Sequence, residues 1–201
     1  MSHCSRTWVD WFTSQPQGRY FTKIPLSFLQ DSFNLYGLRQ QVGSQYKFAL
    51  EMIRSPYYAQ EDPARPAEWP INLENSAIKL YGLLHSRYLL TASALKEMHK
   101  KYQHHEFETC PRVNCNGFQC LPFGQYEEPN RATLQMFCPC CEETYAPSEG
   151  FCKSIDGAYF GPSWVLLFLQ NYTEITKNKK MIQTDVRLFG FKIDPEDNGD
   201  N

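Results

Sequence analysis

Two cysteine pairs constrain this chain more than any other feature. Cys110 and Cys115 lie in TCPRVNCNGFQC, residues 109 to 120, and Cys138 and Cys141 in MFCPCCEETY, residues 136 to 145. The arrangement is C-x4-C-x22-C-x2-C. Each pair, set on a tight turn, offers two thiolates to one ion, and two such turns supply the tetrahedral sulfur set that structural zinc takes. Cys138 and Cys141 have the usual knuckle spacing, so Cys140 is the spare sulfur and points away from the metal. Cys120 and Cys152 fall off register and read as small packed thiols. Cys4 carries no signal. A four-thiolate zinc has no open position for water or substrate, so its role is folding rather than hydrolysis. Binding of this kind is worth on the order of 10–16 kcal/mol, which a segment so poor in aliphatic residues needs.

Before the cysteines the sequence has helical character. Tyr46, Ala49, Leu50 and Ile53 repeat at i, i+3, i+4, i+7, and Leu73, Ala77, Leu80, Leu84 and Tyr88 continue that period. Thr91 caps a further helix with Leu95, Met98 and Tyr102 on its inner face. Ser27 and Gln30 have capping-box spacing and predict a short helix start. The stretch SPYYAQEDPARPAEWP carries Pro56, Pro63, Pro66 and Pro70, which break any helix and predict an exposed loop. From about residue 105 the pattern changes to short β-prone pieces, TCPRV, QCLPF, TLQMF and ETYAP. After IDGAYFG, PSWVLLFLQNY predicts one short helix with Pro162 near its start. A basic run, TKNKK, then leads to VRLFGFKID and an acidic, frayed end. Read as one strand, VRLFGFKID puts Phe189, Phe191 and Ile193 on one face. An exposed apolar hairpin that docks onto a partner is the expectation there.

Phosphate-loop, dinucleotide-binding, kinase, G-x-S-x-G and H-E-x-x-H motifs do not occur. His104, His105 and Glu106 cluster where a helix ends, and the helix dipole accounts for the histidines. His85 reads as a packed or half-exposed helix residue. The chain is therefore expected not to be an enzyme. Net charge is −2 with pI near 6.2, which argues against a globally basic nucleic-acid binder. The longest apolar run, WVLLFL, is too short to span a bilayer, and MSHCSRTWVDWF has no signal-peptide hydrophobic stretch. The expectation is a soluble intracellular protein with reduced thiols.

Several of these strings together resemble one family, the regulatory beta subunit of the protein kinase casein kinase II. CPRV opens the first cysteine pair as it does there. LYGLLHSRYLLT (80 to 91), KYQ (101 to 103), DGAYFG (156 to 161), RLFGFKI (187 to 193), WVDWF and LQDSFNLYGL are similar to further family signatures, in the same order. The likeness spans roughly residues 8 to 195.

The resemblance implies an α+β fold: an all-helical N-terminal domain, 1–104, a four-cysteine zinc-ribbon domain, 105–161, and a C-terminal helix and hairpin tail, 162–201. It implies one structural zinc per chain on Cys110, Cys115, Cys138 and Cys141, the four that spacing selects. Two copies are expected to form a homodimer through their ribbons and to hold two catalytic alpha subunits, modulating kinase stability, activity and recruitment of protein substrates. Leu188, Phe189, Phe191 and Ile193 are the implied kinase-binding residues, with Leu166 in the preceding helix near the position that supports them. The family usually has tyrosine where Phe189 stands, so that hydroxyl is lost and the aromatic anchor kept. Its acidic loop is eroded here: between Arg54 and Pro70 only Glu61, Asp62 and Glu68 stand against Arg54 and Arg65. Cytoplasm and nucleus are the expected locations, with no membrane partner. The competing reading is a zinc-ribbon nucleic-acid or transcription-assembly module using TKNKK and Arg131 as phosphate contacts.

Overall fold

The computed structural model describes residues 7–56, 72–177, 179, 187–188 and 191–192. The first part of the chain is helical: α1 (Trp8–Ser14), α2 (Leu26–Gln30), α3 (Ser32–Leu35), α4 (Leu38–Val42), α5 (Tyr46–Arg54), α6 (Leu73–Tyr88) and α7 (Ala92–Gln103). Three short antiparallel strands follow, β1 (Leu121–Phe123), β2 (Gln135–Phe137) and β3 (Thr144–Tyr145), in the order β1-β2-β3. Helices α8 (Ser163–Asn171) and α9 (Thr173–Lys177) then lead to a small hairpin, β4 (Arg187–Leu188) and β5 (Phe191–Lys192). The architecture is thus mixed, helices plus a small antiparallel sheet. Among the described residues no helix is long and apolar enough to cross a membrane.

Helix α6 is the centre. Its apolar period buries Leu73, Ala77, Leu80, Leu84 and Tyr88, and Tyr81 and His85 are buried with them. Aromatic rings fill the space beside it: Phe12 stacks on Trp8 at 5.1 Å, and Tyr81 meets both edge-on. The segment preceding α2 is pinned to α6 by side chains rather than by a sheet. The Tyr81 hydroxyl donates to the Thr22 carbonyl at 2.8 Å and accepts from the Ile24 N–H at 3.1 Å. Such pairing is what allows polar groups to be buried there.

The same helix meets the second half of the chain. His85 accepts from the Thr22 N–H through Nε2 (3.1 Å) and donates from Nδ1 to the Tyr159 carbonyl (2.9 Å). At Gly82 the two halves approach closely; a Cβ placed there would stand 2.3 Å from the Tyr159 ring. Trp164, buried on α8, donates from Nε1 to the Pro122 carbonyl of β1 at 3.0 Å. One continuous apolar core therefore runs from Trp8 through α6 to Phe160, Trp164 and Phe168.

Three sequence expectations change. Helix α2 starts at Leu26 with Pro25 as its cap, so Ser27 lies inside it and makes no cap; the fixed φ of proline already presets the first turn. Among the described residues a capping box joins Thr7 and Asp10, at the start of α1. TCPRV forms no strand, contributing only the isolated Thr109–Gln119 bridge before a 3-10 turn over Val113–Cys115. VRLFGFKID carries the expected hairpin and not a single strand: β4 and β5 pair antiparallel with Leu188 opposite Phe191, so one-strand parity does not assign its faces. The proline-rich loop, beyond Ser55 and Pro56, and the acidic end lie outside the described residues.

Candidate metal centre

The four cysteines selected by spacing come together. The sulfurs of Cys110, Cys115, Cys138 and Cys141 all lie within 4.8 Å of one another. Two turns place them. In the first, the Cys110 N–H donates to the Phe118 carbonyl at 2.7 Å, and Asn116 and Gly117 take positive φ to reverse the chain after Cys115. In the second, the Cys138 N–H donates to the Glu143 carbonyl and the Glu142 N–H to the Cys138 carbonyl, with Glu142 at φ 61°. β1 and β2, paired Leu121 to Phe137, hold the two turns against each other.

The geometry suits a tetrahedral ion. Metal–sulfur bonds of about 2.3 Å give sulfur–sulfur edges of about 3.8 Å. The Cys110–Cys141 and Cys115–Cys138 separations are 3.9 and 4.0 Å. Four anionic sulfurs this close repel one another strongly unless a cation sits among them. Burial raises Cys115 and pushes Cys138 up to about 11. Cys141 goes the other way, to about 6: burial opposes its ionisation, and the Tyr145 hydroxyl, the Glu143 N–H and the neighbouring thiols outweigh it. Tyr145, on β3, lies 3.3 Å from the Cys141 sulfur, and the Arg112 N–H donates to the Cys110 sulfur at 3.4 Å. Neither outer contact was signalled by spacing, because each depends on how the turns fold back.

Cys140 is buried but stands outside the set of four. Cys120 and Cys152 are buried thiols, and burial raises both, Cys152 to about 11; such thiols are inert. His104 ends α7 exposed, and Glu106 takes Lys101 at 2.8 Å, so the His104–Glu106 cluster is a helix terminus. Of the basic groups considered as phosphate contacts, Lys179 pairs with Glu142 at 2.6 Å and Arg131 lies over the Tyr126 ring at 5.2 Å. Leu166 projects from α8 with 66% of its surface exposed. Leu188 and Phe191 are backbone partners in the β4–β5 register, and Phe189 and Ile193 lie outside the described residues.

Sequence comparison places these features in a known context. Residues 7–192 match the family described as "Casein kinase II regulatory subunit". The chain is 40% identical over 189 residues to "Casein kinase II subunit beta" of Schizosaccharomyces pombe, covering 94% of this chain and 80% of that protein. It is 37% identical over 191 residues to "Casein kinase II subunit beta'" of Drosophila melanogaster, covering 94% and 84%. With "Casein kinase II subunit beta'" of Saccharomyces cerevisiae it shares 33% over 190 residues, 92% of this chain and 72% of that one.

Proposed function

This chain belongs to the casein kinase II regulatory subunit family, a non-catalytic one, and on that premise we propose that it dimerises through a zinc-loaded ribbon and docks two catalytic kinase subunits. The observation that carries this reading is the family match over residues 7–192, which takes in the cysteine cluster and both tail strands. Zinc is the ion of choice for four thiolates in a tetrahedron. Cys110, Cys115, Cys138 and Cys141 hold it, and the closed coordination makes its role structural. Val113, between the first two ligands, is 79% exposed; a large aliphatic group held out beside the metal turn supports this face as the dimer contact.

In this reading the chain divides into a helical domain (1–104), a ribbon (105–161) and a docking tail (162–201). Leu166, Leu188, Phe189, Phe191 and Ile193 supply the apolar grip on the kinase. Binding the folded catalytic subunit and not its unfolded form stabilises it by mass action. The assembled dimer recruits protein substrates, in cytoplasm and nucleus.

Size-exclusion chromatography with light scattering tests the proposal, run on the chain alone and mixed with the catalytic subunit, with zinc counted in each peak. A zinc-bound dimer that shifts to a two-plus-two complex is the expected result. A zinc-bound species that ignores the kinase would overturn the docking role.

A further inference from the structure

A second surface lies on the helical part, built by elements the metal centre does not use. Phe33 on α3 and Tyr36 just after it are 83% and 82% exposed, and Leu90, at the turn between α6 and α7, is 49% exposed. The three line one open depression with Arg87. Helix α3 is only Ser32–Leu35, capped by the Asp31 side chain on the Phe33 N–H at 2.9 Å, and Arg87 Nη1 donates to the Asn34 carbonyl at 2.6 Å. The aromatic residues are thus presented by a pinned turn and not by a loose one. Solvent-facing aromatics clustered in this way mark contact surfaces.

Arg87 and Leu90 also line a neighbouring groove of about 550 Å³, which Glu127 and Glu128 line as well. Both glutamates are exposed, and none of the ion pairs among the described residues involves either. Arg87, by contrast, is partly buried and committed to the Asn34 carbonyl. The two depressions share Arg87 and Leu90, so this face combines an apolar aromatic rim with two carboxylates, and its shared cation is already engaged. We propose that this face is a docking site for a peptide segment of a partner protein, an apolar anchor settling on Phe33, Tyr36 and Leu90 and an adjacent lysine or arginine facing Glu127 and Glu128. The site does not depend on the kinase reading, since it can be tested on the chain alone.

The probe is a random-peptide phage library selected on the immobilised, metal-loaded full chain. Enriched peptides are expected to combine one large apolar residue with a nearby basic one. A synthetic copy of the commonest should lose about tenfold or more in affinity on Phe33→Ser/Tyr36→Ser, as truncated anchors do. Glu127→Lys/Glu128→Lys should weaken it comparably and flatten its salt dependence. All four positions are exposed, so metal content and light-scattering mass of the variants should match the parent chain. Enrichment of neutral or acidic peptides, no enrichment at all, or affinity that neither double variant changes would overturn the proposal. Self-association of the parent chain that Phe33→Ser/Tyr36→Ser abolishes would do so too, assigning the face to a second copy.

Discussion

His85 shows how much one side chain can join. Both ring nitrogens are engaged, Nε2 by the Thr22 N–H and Nδ1 by the Tyr159 carbonyl, and burial pulls its pKa from 6.5 down to about 3. The unfolded chain protonates this group below about 6.5 and the folded chain does not. Its contribution to stability is therefore complete above about pH 6.5 and is lost as pH falls toward 3, at roughly 1.4 kcal/mol per pH unit. Between about pH 6.5 and pH 5 the chain should lose roughly 2 kcal/mol more stability than His85→Gln, read from urea midpoints; equal losses would refute the buried neutral form. The cysteines give a sharper contrast. Cys138→Ser should abolish stoichiometric zinc and Cys140→Ser should keep it, counted by atomic absorption. Metal retained by Cys138→Ser would mean that Cys140 had replaced it. The cluster of four cysteines was legible because spacing along a turn is a local property. His85 was not, because its partners lie 63 and 74 residues away.

Among elements, α5, α6 and α7 follow the apolar period of their own sequences, since each turns one face to a core that repeats every turn, and α8 begins beside Pro162 as expected. The Thr91 hydroxyl accepts from the Ala94 N–H at 3.2 Å, as its position predicts. Thr91→Ala should lower stability by about 1 kcal/mol in thermal melts. The short 3-10 turns and the two-residue strand β3 carry too few residues for any period, and only tertiary contacts fix them. The hairpin of the tail was expected and β4 pairs with β5; only the single-strand parity misled, because alternation reads the same until a reversal intervenes. Gly82 tests the contact of α6 with the Gly157–Tyr159 turn. Helix propensity alone makes Gly82→Ala stabilising by roughly 1 kcal/mol. The Tyr159 ring, 2.3 Å from the added Cβ, reverses the sign, and a loss of about 1–3 kcal/mol is expected. The sign of the shift in denaturation midpoint decides.

At the scale of the whole molecule the metal turn and the helices share one core. Chelation should therefore be felt beyond the ribbon. Hydrogen exchange is expected to quicken at Leu134 and Cys138, and also at Thr22 and Ile24, whose N–H groups rest on α6; unchanged protection at Thr22 and Ile24 would show the halves to be independent. Val113→Asp should give a metal-bound monomer by light scattering. The order in which the chain is made adds a further consequence. Tyr159 leaves the ribosome 74 residues after His85, which at about 5–20 residues per second is roughly 4–15 s. Through that interval the main helix waits with an open side, and its imidazole lacks the carbonyl it will later bind. A polypeptide released before the ribbon is complete would carry that open side as exposed apolar surface, which chaperones and proteases bind. Surveillance of unfinished chains is thus built into the distance between two hydrogen-bonding partners.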